Sequence, residues 1–242
     1  MTRRILPGLL AAALGLCLGA AQAGDTLLLA AGAGYRKPVL ELLEDFQKNS
    51  PIRVEASFGN MKQVETQARQ NPDIALLIGD QAFLEPMALA ERFVPLGQGR
   101  LVLVTAQGQS ITALDELQQP RFKRIAMPER SKAVYGKAAS TCLQRLGLEQ
   151  ALQGRVLEVA TVPQVGQYIS SGEVDAGFVN RTQALALQGR AGTSLEAPQD
   201  CYDPIQMSVG VLKQRGNAQA VQAFLDYLQT PAARQIIQRN GM

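Results

Sequence analysis

The chain has 242 residues, with 24 Lys and Arg against 21 Asp and Glu, no histidine, no tryptophan and three cysteines. The missing histidine excludes a Ser-His-Asp or Cys-His catalytic arrangement, an imidazole base and a histidine-bearing zinc site. The near balance of charge, with no basic arm, argues against a nucleic-acid partner.

In chain order, the first segment is MTRRILPGLLAAALGLCLGAAQA, Met1 to Ala23. Arg3 and Arg4 precede an apolar run, which closes on the small-x-small site Ala21-Gln22-Ala23. This is the layout of a secretory signal peptide. Residues 1–23 are expected to be removed by cleavage after Ala23, with Cys17 lost among them, so the mature protein acts in the periplasm. The run is short for a membrane anchor, which takes about 20 residues. Setting Arg3 and Arg4 aside leaves 22 basic residues against 21 acidic ones. Two cysteines remain, Cys142 and Cys201, which could pair in an oxidising compartment.

Short apolar runs then alternate with amphipathic segments. Strands are predicted at TLLLA (26–30), IRVEASF (52–58), IALLI (74–78), RLVLVT (100–105), RIAM (124–127), 156–162, VDAGFVN (174–180) and 205–213. Helices are predicted at 39–48, 61–71, 81–91, 110–117, 133–148, 163–171, 181–188, 218–229 and 231–240. In the first helix, Val39, Leu40, Leu43 and Phe46 are expected on the apolar side. The stretches 93–99 and 189–203 read as connections. Repeated strand-then-helix units with short joins predict an α/β protein with mostly parallel sheets. The two connections suggest a split into two lobes.

In such sheets, ligands collect where strands end and helices begin. Four joins have that form: Ala31 to Tyr35, Gly59 to Lys62, Pro128 to Gly136 and Pro163 to Val165. Gly32 and Gly34 permit close approach of a ligand to the backbone. The helix starts offer amide donors and partial positive charge, the makings of an anion site. Arg36, Lys37, Lys62, Arg130 and Lys132 stand nearby in sequence. Asp73 and Asp80 bracket IALLI and read as cap or structural carboxylates. Tyr35 and Tyr135 lie in these loops, as ligand contacts or as packing.

At these same loops the chain resembles the molybdate-binding periplasmic proteins of ABC transporters. The motifs that carry the likeness are LAAGA (29–33), VEASFG (54–59), PDIALLIGD (72–80), GRLVLV (99–104), the segment 124–137 with its Tyr-x-Lys, Pro163 to Val165, GFVN (177–180) and the ending FLDYLQTPAARQIIQRNGM (224–242). The resemblance covers essentially the mature chain. It implies a two-lobe periplasmic-binding-protein fold of type II, each lobe a mixed, mostly parallel sheet flanked by helices. Lobe I is expected at 24–100 plus 205–242, and lobe II at 101–204. It further implies a monomeric binding protein, not an enzyme, with no cofactor and no metal cation, that closes on a tetrahedral oxyanion and hands it to a membrane permease.

In the family, neutral donors hold the anion: two serine hydroxyls, a tyrosine hydroxyl and backbone amides. Here the first serine position falls at Ala33, the second at Asn60 or Met61, and the tyrosine at Asn180. The expected ligand contacts are therefore backbone groups around Gly32, Ala33, Gly34, Met61, Ala133 and Val165, with side chains of Tyr35, Asn60 and Asn180. Molybdate or tungstate is the leading ligand class. A different oxyanion or a small organic anion, met by Arg36, Lys37, Arg130 or Lys132, is the alternative, as is a ligand-sensing partner of a membrane receptor.

Overall fold

The computed structural model describes residues 26–242, so the expected leader 1–23 lies outside the described residues. Two five-stranded sheets stand side by side. The first has the order β2-β1-β3-β10-β4. Its strands are β1 (Thr26–Gly32), β2 (Arg53–Gly59), β3 (Ile74–Asp80), β4 (Ala90–Gly99) and β10 (Ile205–Leu212). The second has the order β7-β6-β8-β5-β9. It is built from β5 (Leu101–Thr105), β6 (Ile125–Pro128), β7 (Val156–Val159), β8 (Ala176–Asn180) and β9 (Ser194–Glu196).

The two sheets repeat one topology. In each, three neighbouring strands run parallel, and the next strand is antiparallel to both of its neighbours. The reversed strands are β10 and β5. This is the two-lobe, mostly parallel arrangement implied by the resemblance. The chain passes from the first sheet to the second at Arg100 and returns before Ile205.

Helices cover both faces of each sheet, so the central strands read as unbroken apolar runs. Every residue of β3 is buried. Helix α1 (Arg36–Lys48) buries Val39, Leu42, Leu43 and Phe46, the i, i+3, i+4, i+7 set of one helical face. Leu40, expected in that set, is 44% exposed. Phe46 meets Phe224 edge to face at 5.2 Å between ring centroids, which joins α1 to α7 (Ala218–Leu228) beside α8 (Pro231–Arg239).

Four predicted elements differ, the first being the connection expected at 189–203, which contains edge strand β9 paired with β5. The connection expected at 93–99 is the second half of β4, hydrogen-bonded to β10 along its length. Pro95, Gly97 and Gly99 made it read as a loop, but an edge strand needs only one ladder and tolerates them. The helix expected over 81–91 is a single turn, α3 (Gln81–Leu84), and a 3-10 turn at Glu85–Met87 that ends on left-handed Ala88. The helix expected over 110–117 is a 3-10 turn at Leu114–Gln118. The remaining helices are α2 (Met61–Gln70), α4 (Val134–Arg145), α5 (Val162–Ser171) and α6 (Arg181–Ala186). Cys142 on α4 and Cys201 form a disulfide.

Candidate functional site

The carboxyl ends of β1 and β2 in the first lobe face those of β6 and β7 in the second. The helix starts that follow them enclose a cavity of about 30 Å³, walled by residues 32–35, 59–61, 133–135 and 161–162. Only a ligand of a few non-hydrogen atoms fits there. A larger trough of about 740 Å³ runs along edge strand β4 against α7 and α8, but it lies within one lobe.

In the first lobe, β1 runs into a 3-10 turn at Ala33–Tyr35 that leads directly into α1. A Cβ at Gly34 would stand 3.0 Å from Asn180 Nδ2 and 3.3 Å from Val162 Cβ, so glycine lets the lobes approach here. Asn60 caps α2 in a capping box: its Oδ1 accepts from Gln63 N at 2.9 Å, and Gln63 Oε1 accepts from Asn60 N at 2.9 Å. Asn60 Nδ2 donates across the cleft to Ala160 O at 3.4 Å. Met61 lines the cavity, but its amide donates to Lys132 O of the other lobe at 2.9 Å and so is already occupied.

In the second lobe, Ala133 lines the cavity, with its amide bonded to Glu129 O at 3.0 Å. Val165 stands one turn inside α5, its amide bonded to Thr161 O at 3.3 Å. Its side chain packs where a Cβ on Gly177 would go, 2.6 Å from Cγ1. The cavity wall is formed instead by Thr161 and Val162. The Thr-x-x-Gln capping signature at 161–164 marks that helix start in the sequence, and Thr161 N donates to Gln164 Oε1 at 3.1 Å. Val134 and Val162 open α4 and α5, and first-turn amides have no intrahelical acceptor.

Asn180 is buried behind the wall. Its Oδ1 accepts from Gln183 N at 2.9 Å, and its Nδ2 donates to Gly34 O of the first lobe at 2.9 Å. Tyr35 and Tyr135 line the cavity from opposite lobes, and their hydroxyls are hydrogen-bonded to each other. Burial pushes both phenols up from the ordinary tyrosine value, so both stay protonated. Val134, Thr161 and Val162 thus join the walls, which the sequence reading leaves out, and Tyr135, open there between contact and packing, walls the cavity too.

None of the five cations reaches the cavity. Arg36 lies over the Phe58 ring at 4.9 Å. Lys62 pairs with Glu65, Arg130 with Glu149 and Glu158, and Lys132 with Glu129; Lys37 lines a separate surface hollow beside α1. Among the described residues there is no cluster of side chains suited to a metal ion. Asp80 accepts from Gln206 N at 3.1 Å and so anchors the start of β10; burial raises its carboxyl above the usual value, opposed by backbone hydrogen bonds. The arrangement can bind through neutral donors, and among the described residues it assembles no nucleophile–base pair.

The profile of the bacterial extracellular solute-binding proteins matches residues 27–242. The chain belongs to this family. The solute-binding relatives include the molybdate-binding protein ModA of Rhodobacter capsulatus, 29% identical over 238 residues, or 96% of this chain and 93% of the relative. ModA of Azotobacter vinelandii is 28% identical over 237 residues, covering 94% and 93%. A solved structure of the periplasmic molybdate-binding protein of Azotobacter vinelandii superposes with a TM-score of 0.81 at 25% identity, over 89% of this chain and 97% of that one. These relatives are binding proteins and not enzymes, and the family is exported.

Proposed function

We propose that this solute-binding protein captures a small oxyanion of the molybdate and tungstate class between its lobes and delivers it to an ABC permease. The observation that carries this reading is the small buried cavity where helix starts of both lobes converge. Amides at helix starts and neutral hydroxyls replace an anion's hydration without a formal counter-charge. Hinge closure about the strands that cross at Arg100 and before Ile205 would seal it. In this reading residues 1–23 are the export signal, 24–100 with 205–242 move as one lobe and 101–204 as the other, and the protein works as a monomer.

A second reading is favoured by the wall itself. Ala33 stands where the resemblance expects a serine, Asn60 and Asn180 are engaged elsewhere, and Met61, Val134 and Val162 present apolar groups. The same cleft would then hold another oxyanion or a small organic anion. A thermal-shift screen against molybdate, tungstate, sulfate, phosphate and small carboxylates separates the two. At 100 times its dissociation constant a ligand adds about 2.7 kcal/mol of stability. Stabilisation by molybdate and tungstate alone supports the first reading; stabilisation by another anion supports the second.

A further inference from the structure

Tyr35 follows β1 in the first lobe, and Tyr135 lies in the first turn of α4 in the second. The side chains are 3% and 2% exposed, their ring centroids are 6.1 Å apart, and each walls the cavity. A phenol has one proton to donate and lone pairs to accept. Two phenols bonded to each other use one proton between them, which leaves the second without an acceptor in the pair.

The surroundings do not take that proton. The Asn180 amide donates through Nδ2 to Gly34 O, and its Oδ1 accepts from Gln183 N. The Asp80 carboxylate accepts from Gln206 N and makes no hydrogen bond to either tyrosine. The Tyr202 hydroxyl accepts from Leu101 N and bonds Gln199 Oε1. Among the described residues, the two tyrosines make one hydroxyl bond, to each other. Burial keeps both phenols neutral, so the unused O–H persists, and a buried donor without an acceptor is costly.

We propose that Tyr35 and Tyr135 form a two-hydroxyl donor, which spans the cleft with one proton and offers the other to an oxygen of the bound anion. This rests on the anion-binding reading above and deepens it, because it makes Tyr135 a ligand contact and specifies the oxygen it meets. That oxygen must be an unprotonated acceptor. Fully ionised oxyanions such as molybdate, tungstate and sulfate present acceptors in every direction; an anion that turns an O–H toward the pair is disfavoured. The hydroxyl function absent at Ala33 and Asn180 is thereby supplied from a different place in the fold.

The test is a calorimetric titration of the exported protein and its Tyr35→Phe, Tyr135→Phe and doubly substituted forms with molybdate, tungstate and sulfate. Each single variant leaves one hydroxyl, freed from its partner and able to serve the anion. We expect each to weaken binding by about three- to tenfold, and the double variant to bind at least about tenfold more weakly than either. A pair that only clasps the lobes predicts a double variant no weaker than the singles, and that result overturns the proposal; so does unchanged affinity in all three. If the unsubstituted protein binds none of the three anions, the anion reading itself falls, and the donor role with it. Should the double variant not fold, NMR of the tyrosine Cζ carbons of the unsubstituted protein decides. Tungstate must move two of the five tyrosine resonances, the same two that Tyr35→Phe and Tyr135→Phe remove, and unmoved resonances overturn the assignment.

Discussion

Asn60 and Asn180 make the same pair of connections from opposite lobes. Each accepts from the third amide of the helix it caps, Gln63 N and Gln183 N, and each donates through Nδ2 to a carbonyl of the other lobe, Ala160 O and Gly34 O. One side chain thus orders a helix start and ties the lobes together. The sequence reading expects both side chains on the ligand; in this structure both amides bridge the lobes, Asn60 from the cavity wall and Asn180 from behind it.

The two are unequal, and variants should show it. The Asn180 bridge is 2.9 Å long, whereas that of Asn60 is stretched to 3.4 Å. Asn180→Ala should weaken anion binding by about fivefold, the worth of one hydrogen bond of about 1 kcal/mol. Asn60→Ala should weaken it by less. Loss of either cap should cost about 1 kcal/mol of stability in thermal melts. Asn180→Asp keeps the cap but buries a carboxylate against Gly34 O, so affinity should fall at least about tenfold and the melting temperature should fall with it. Equal affinities for Asn180→Asp and the parent protein would remove the bridge from the account.

Gly99 marks where closure becomes intolerant of bulk. A Cβ there would lie 2.3 Å from the Tyr135 hydroxyl and 2.6 Å from Ile205 Cγ2. Gly99→Ala should destabilise the protein by about 1–3 kcal/mol through overpacking and reduce anion affinity. Adding Tyr135→Phe should recover part of the stability, because one obstacle is then gone while Ile205 remains. Melting curves of the single and double variants check this.

The disulfide ties α4, whose first turn carries Val134 and Tyr135, to the segment leading back into β10. Its cysteines are 59 residues apart. On the chain-entropy account a loop of that length contributes about 4 kcal/mol. Reduction, or Cys142→Ser with Cys201→Ser, should therefore lower the melting temperature by about 10 °C. A melt indifferent to reductant would contradict this.

Two pH dependences follow from the titrating groups. Burial holds Tyr35 and Tyr135 protonated, and the chain has no histidine, so anion affinity measured calorimetrically should be flat between about pH 6 and pH 9. Glu41 behaves differently. Burial acts to raise its carboxyl, but hydrogen bonds from Arg239 and Asn240 on the last helix outweigh it and hold it low. Its folded value lies below its unfolded one, so its contribution is present above the ordinary carboxylate range and is lost as pH falls. Glu41→Gln should lower the melting temperature slightly at pH 7, by less than about 1 kcal/mol in stability, and not at about pH 3.

Much of the fold was legible because both-faces-covered strands such as IALLI advertise themselves as apolar runs, and helix starts as glycines and caps. What hid was the half-exposed edge: β4 carries two glycines and Pro95, a residue that an edge strand accommodates. At the site, the four converging joins could be read, yet the contact between Tyr35 and Tyr135 could not. It spans 100 residues and depends on how far the lobes close. The Val165 contact rests on the resemblance at Pro163 to Val165, and the structure sets that residue one turn inside α5, which begins at Val162. The occupied amide of Met61, bonded to Lys132 O, is a tertiary fact with no local signature.

The most direct test of the central claim is to locate the anion by growing crystals with tungstate and mapping its anomalous scattering. The account predicts one strong site per chain inside the cavity walled by Ala33, Met61, Val134 and Val162, with an oxygen facing the Tyr35–Tyr135 pair. Tungstate bound only elsewhere on the surface, or a cleft that stays without it at saturating concentration, would contradict the account.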